Sequence, residues 1–260
     1  MARLRHAAGP LCLRFLQDIG SNRYKIVFHN VQRLMPHLSD ILADHSTMAA
    51  DILAFVEPWL SQTDRPVLER FNVVSRANCP STPNSYGSII FSTSLTRPEG
   101  YRFTSVSSGR NGHIDATVWT IAGIQFAMIY SHPTVKFEEL TSFLRTIIQS
   151  IPEIPTVVLG DFNLDLFSDD RLLKFFLQYR LKERTSRIPS TDYGTKLDAC
   201  FSNILELDAW FFESLFSDHK PICITVPRNE KLSLLDELDI LDEPELFTRA
   251  FNSLNGNSKV

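Results

Sequence analysis

Apolar positions along this chain come in short runs, and several of those runs stop on polar side chains rather than on turn residues. Ile26 to Phe28 runs into His29, Asn30 and Gln32, as a buried strand does on reaching the surface. Ile52 to Val56 runs into Glu57, and Thr156 to Leu159 passes through Gly160 to Asp161, Asn163 and Asp165 at every other position. Asp218 and His219 precede the run "PICITV". Further strands are predicted at "FNVVSR", "YGSIIFS", "ATVWTIAG", "IQFAMIY", "KLDACFSN" and "DAWFFES", separated by turn material such as "NCPSTPNSYG" and "SSGRNGH". Helical spacing is found at Leu38, Ile41 and Leu42, in "KFEELTSFLRTIIQSI" before Pro152, and in "DDRLLKFFLQYRL". Several strands follow one another directly, which favours layered sheets over a pure βαβ winding and gives an α/β or α+β class.

The chain has 260 residues, 43% hydrophobic and 22% charged, enough for one large domain with a substantial core. Residues 1–23 carry four Arg against one Asp and read as a leader or an upstream remnant rather than as a mitochondrial presequence. Residues 24–228 form the expected domain, and 229–260 an acidic amphipathic tail that caps the fold, binds a protein partner or stays solvated. Seven acidic and three basic residues in that tail account for the whole net charge of −4. The body is therefore neutral, and contact with a polyanion must come from local basic patches or a bound cation. No apolar run approaches the length of a bilayer span. Cys12, Cys79, Cys200 and Cys223 lack metal-ligand or disulfide spacing, so an intracellular compartment, nucleus or cytoplasm, is expected.

If the polar strand ends lie side by side, they form one cluster suited to phosphodiester hydrolysis. A hard cation must neutralise the phosphate oxygens, and Mg²⁺ is usually held by one or two carboxylates, a role for Glu57. Asp161 would align the attacking water, and the neutral amide of Asn163 would fix the phosphate without competing for the metal. His219, its imidazolium favoured by a neighbouring carboxylate, would stabilise charge on the transferring phosphate, with Asp198 of "GTKLDACF" as its orienting acid. Singly, each has a bland counterpart: an acidic turn after glycine, a solvated strand end, a chance Ser-Asp-His.

Taken in order, these residues resemble the endonuclease/exonuclease/phosphatase superfamily, metal-dependent phosphoesterases that include DNase I and the abasic-site endonucleases. The likeness runs over about Tyr24 to Val226 and rests on Asn30, Glu57, Tyr130 in "IYSHPTV", the "GDFN" element with Asp161 and Asn163, and Ser217, Asp218 and His219. It implies a four-layer α-β-β-α sandwich, two mixed sheets packed face to face and flanked by helices. It also implies Mg²⁺ or Mn²⁺ as cofactor and DNA as substrate, cut by an endonuclease that nicks. Glu57 would coordinate the metal, Asn30 and Gln32 would support metal and phosphate, and Asp218 would stand in the metal's outer sphere. Asn163 and Tyr130 would contact the phosphate. "KIVFHNVQRL", "ADILAFVEPWL", "NSYGSIIFS" and "GTKLDACFSN" are most similar to nuclease domains of mobile-element proteins, Helitron-type and LINE-type. Two positions depart from the pattern: Gln32 stands where abasic-site enzymes carry Asp, and Ala199 where mobile-element enzymes often carry His.

Phosphates beyond the scissile one would meet Arg110 and Asn111, Arg76 with Asn78, or Lys136, although surface cations are more often plainly solvated. Two other functions compete: hydrolysis of small phosphoesters or phospholipid head groups on the same fold, and a catalytically idle scaffold.

Overall fold

In the computed structural model, which describes residues 22–78, 86–108, 112–148, 154–228 and 232–235, the predicted strands assemble into two six-stranded sheets. The first contains β1 (Arg23–Asn30), β2 (Ile52–Val56), β3 (Phe71–Ala77), β4 (Ser88–Thr93), β11 (Asp208–Phe211) and β12 (Ile222–Pro227), ordered β11-β12-β1-β2-β4-β3. The second contains β5 (Glu99–Ser108), β6 (Gly112–Ile121), β7 (Ile124–Ser131), β8 (Thr156–Asp161), β9 (Lys182–Glu183) and β10 (Asp198–Ser202), ordered β5-β6-β7-β8-β10-β9.

Each sheet has a single parallel pair, β1 with β2 and β7 with β8; the other neighbours are antiparallel. A parallel pair needs a crossover connection. The first is supplied by two short helices, α1 (Leu38–Ala43) and α2 (His45–Met48), and the second by α3 (Phe137–Ile148). Parallel pairing brings the carboxyl ends of two strands to the same edge. Asn30 pairs with Val56, just before Glu57, and Tyr130 pairs with Asp161.

The strands at the centre of the sheets are buried on both faces, which is why they read as continuous apolar runs. Ile26, Phe28, Ile52, Ala54 and Val56 face Phe126, Met128, Val157 and Leu159 between the sheets. The alternate residues Val27, Leu53 and Phe55 face outward, under Leu34, Ile41, Leu60 and Leu68. On the far side, Leu140, Phe143, Leu144, Ile147 and Ile148 of α3 recur at helical spacing and cover Ala127, Ile129, Val158 and Phe201, joined by α4 (Arg171–Leu177). The result is the expected two mixed sheets face to face, with a thin helical layer over the first sheet.

Two helices differ from the sequence pattern. The segment after Leu38 breaks at Asp44, which leaves the helix with ψ 99° and caps α2 through its side chain, accepting from Ser46 N at 3.0 Å. The helix expected across residues 169–181 ends at Leu177, and the chain turns back through Arg180 in the left-handed region, φ 57°. Of the acidic tail, residues 232–235 cap the fold: Leu235 is buried, and its N–H donates to Asn203 O at 2.7 Å. The leader up to residue 21 and the remainder of the tail lie outside the described residues, as do Arg110 and Asn111. No helix among the described residues is long and apolar enough to cross a membrane.

Candidate active site

The carboxyl ends of β1, β2 and β8 meet at one edge of the sandwich, and a single carboxamide joins them. Asn30 Nδ2 donates to Glu57 Oε1 at 3.0 Å and to Asp161 Oδ2 at 2.9 Å, the first bond within one sheet and the second across to the other. Asn30 Oδ1 accepts from the backbone N–H of Gln32 at 3.2 Å. Glu57 is held further by Trp59, whose Nε1 donates to Oε2 at 3.1 Å, and by the Tyr130 hydroxyl. Burial, then the charges of Glu57 and Asp161, push the Tyr130 phenol far up, so it stays a donor.

His219 arrives from the loop before β12 and bonds to the second sheet: its Nδ1 lies 2.8 Å from Asp198 Oδ2 and 3.9 Å from Asp161 Oδ2. Ser217 fixes the approach, donating through Oγ to Asn30 O at 2.7 Å and accepting from His219 N at 3.1 Å. Asp198 is fixed in turn by Ser190, whose Oγ accepts from the N–H groups of Leu197 and Asp198 at 2.9 and 3.0 Å. Burial disfavours charge on the His219 imidazole, but Asp198, by charge and hydrogen bond, and then Asp161 outweigh it and push the pKa up to about 10. The ring is therefore an imidazolium at neutral pH with Nε2–H left to donate. Asp161 is shifted upward by burial and by the Asp198 carboxylate.

His29 sits behind His219 and is neutral. Its Nε2 lies 2.9 Å from the His219 carbonyl oxygen and so carries the proton, and burial pushes its pKa down to about 3. Because the unfolded chain binds a proton there that the folded chain refuses, His29 weakens the fold as pH falls below 6.5 towards 3. The unfolding free energy of His29→Gln, measured in urea, is expected to drop by about 3 kcal/mol less than that of the parent between pH 6.5 and 4. Equal drops would remove His29 as the acid-sensitive group.

The other expected residues are placed less directly. Asn163 Nδ2 donates to Ser131 O at 2.9 Å, and its backbone N–H to Asp161 Oδ1 at 3.0 Å. Asp218 Oδ2 accepts from the exposed Tyr193 hydroxyl at 3.0 Å. Arg76 is used structurally, donating to Asp64 O and Ser61 O. His113 faces Asp115, with Nε2 3.6 Å from Oδ2, and burial lowers the His113 pKa to about 4.

Backbone strain gathers at the same strand exits. Gln32 (φ 42°), Arg33 (φ 83°), Glu57 (φ 51°), Trp59 (φ 46°) and Asn163 (φ 49°) all occupy the left-handed region, which costs non-glycine residues about 1 kcal/mol or more each and collects where function requires it. Sequence reasoning missed Trp59, Arg33 and Ser190, and it named His29 only as a polar residue where the strand reaches the surface, whereas His29 is buried. For Trp59 there was a signal, an indole two residues past a carboxylate at a strand end. For Ser190, in a loop with no strand pattern, there was none.

The donor set fits a hard divalent cation. Glu57, Asp161 and Asp198 are buried carboxylates within one cluster, and Asp198 Oδ1 is buried with no hydrogen-bond partner. Asp161, Asp198 and His219 offer ligand atoms within 4.8 Å of one another, but His219 Nδ1 is taken by Asp198, which leaves oxygen donors.

No family model and no curated protein sequence matches the chain. Solved structures do. The endonuclease domain of TRAS1, a telomere-specific non-LTR retrotransposon, is 16% identical and superposes with a TM-score of 0.58 over 80% of this chain and 100% of that one. A Bacteroides thetaiotaomicron endonuclease/exonuclease/phosphatase family protein gives 0.58 at 12% identity, over 78% and 97%. The human Nocturnin catalytic domain gives 0.54 at 17% identity, over 82% and 94%. The two-sheet sandwich of this chain is the fold of the endonuclease/exonuclease/phosphatase proteins.

Proposed function

We propose that the chain is a metal-dependent phosphodiesterase acting on DNA, an endonuclease that nicks, of mobile-element descent, with residues 24–228 as its catalytic unit. The observation that carries this reading is the Asn30 amide bonded to Glu57 in one sheet and Asp161 in the other, beside the His219–Asp198 pair. Five separate segments supply one cluster of acids, amide and imidazolium, a costly arrangement for a site without chemistry.

Glu57, aligned by Asn30, Trp59 and Tyr130, would hold the cation, with Asp218 in its outer sphere, and Mg²⁺ or Mn²⁺ there would neutralise the phosphate oxygens. Asp161, buried and adjacent to the metal ligands, accepts a proton from the attacking water and orients it. His219 donates through Nε2–H to a non-bridging phosphate oxygen, while Asp198 holds the ring in place. Asn163 has a second amide hydrogen to give to the phosphate. In this arrangement the Asn30 amide nitrogen faces the two carboxylates and sets their spacing, while its oxygen, the atom that would bind a metal, accepts from Gln32 N–H.

Incubation with supercoiled plasmid tests the reading: nicked circles are expected with Mg²⁺ or Mn²⁺ and none with EDTA. Intact and abasic duplexes and bis(p-nitrophenyl) phosphate, run in parallel, separate DNA cleavage from small-phosphoester hydrolysis. Metal-dependent turnover of the small ester alone would transfer the assignment to that substrate, and no turnover of either would leave a binding scaffold.

A further inference from the structure

Resting on the nuclease reading, we infer that Arg33, stacked on Trp59, is the contact for a DNA phosphate next to the scissile one. Arg33 is exposed at the edge of the cluster, and among the described residues no carboxylate lies within ion-pair distance of its guanidinium. Instead the guanidinium lies over the Trp59 ring, 4.8 Å from the centroid. A stacked guanidinium presents its N–H groups at the edge, in the plane where a phosphate accepts two of them.

The position of this cation is built. Arg33 N–H donates to Glu57 O at 3.0 Å and Leu34 N–H to Pro58 O at 2.9 Å, tying the loop after β1 to the loop after β2. Both Arg33 and Trp59 adopt left-handed backbone to achieve this. Trp59 is gripped on its other sides: its Nε1 holds Glu57, and its ring meets Tyr86 edge-on at 6.1 Å, itself stacked on Tyr130 at 5.6 Å. The indole therefore sets the distance between an anion-binding group and the carboxylate proposed to hold the metal. A neutral body with net charge confined to its tail has few other ways to hold a polyanion. A small phosphoester has no second phosphate to meet Arg33, so the pair selects polynucleotides.

Anisotropy of a short fluorescein-labelled duplex, titrated in EDTA from about 50 to 200 mM salt, reads this contact without cleavage. Arg33→Ala is expected to raise Kd by about tenfold and to reduce the slope of log K against log salt by about 1. Arg33→Lys keeps the charge and should restore the slope while leaving part of the affinity loss. Trp59→Phe keeps a ring under Arg33 and should keep the slope. Arg33→Ala with the parent's Kd and slope, or a parent that does not bind duplex, overturns the inference. Mg²⁺-dependent hydrolysis of bis(p-nitrophenyl) phosphate by the parent, measured alongside, reports separately on the phosphodiesterase reading.

Discussion

His219→Ala and Asp161→Asn are each expected to lower the rate of plasmid nicking by about 10³-fold with the fold intact. Removing one group that stabilises charge in the transition state costs on the order of 10² to 10³ in rate, and a positioned proton acceptor contributes about as much. Asp161→Asn keeps shape and one acceptor oxygen, enough for Asn30 or for Asn163 N–H but not both, so far-ultraviolet circular dichroism should match the parent. Asp198→Asn completes the argument through pH. With Asp198 charged, the His219 pKa is pushed up to about 10, so the parent's nicking should persist well into alkaline solution and fall only as pH approaches that value. Without that carboxylate the strongest upward influence on His219 is lost while burial remains, so the alkaline limb should move to lower pH than the parent's. The same pair contributes to stability in full below pH 6.5, and that contribution is lost as pH rises through about 10, because the folded state holds the proton more tightly. Variants that nick at the parent's rate would sink the site assignment.

The sequence made the site legible one strand at a time. Asn30, Glu57 and Asp161 end apolar runs, and a strand buried on both faces must turn polar where it leaves the core, so their candidacy followed from pattern alone. Their convergence did not. It depends on β1 pairing parallel to β2 and on the two sheets packing face to face so that their strand ends share one edge of the sandwich, and contacts at such sequence separation leave no local mark. The helix break at Asp44 was missed because a side-chain cap competes with helix propensity on nearly equal terms. Trp59 and Arg33 escaped for a related reason: their roles rest on left-handed backbone at residues with side chains. Propensity reserves that conformation for glycine. Asp198 and His219 were paired from chemistry and lie 2.8 Å apart, whereas Ser190, which orders Asp198 through its hydroxyl, belongs to a loop whose geometry only the assembled sheets determine.

Gly160→Ala is expected to destabilise the protein by about 2 to 4 kcal/mol and to reduce nicking further than the stability loss alone explains. Gly160 pairs with Ile129 on one side and Ala199 on the other, and a Cβ built on it would lie 2.4 Å from Ile129 O and 2.9 Å from Ile129 Cβ. Neither atom can swing aside: one is backbone and the other belongs to a β-branched side chain locked in the core. β8 would have to move away from β7 by a substantial part of an ångström. Asp161 is the next residue, bonded to Asn30 at 2.9 Å, so the same displacement pulls the acid from the amide that aligns it with Glu57. The glycine of "GDFN" is thus a packing requirement for the site, not a turn residue. Gly123 supplies the comparison. It sits at φ +82° in the hairpin between β6 and β7, with nothing within 4 Å of the added Cβ, so Gly123→Ala should cost only about 1 kcal/mol from backbone strain and leave nicking unchanged. Thermal unfolding of the two variants decides the matter: Gly160→Ala should melt about 5 to 10 °C below the parent. A melting temperature no lower than that of Gly123→Ala would mean that β7 and β8 have room to spare at this point and that Asp161 is positioned by something other than their close approach.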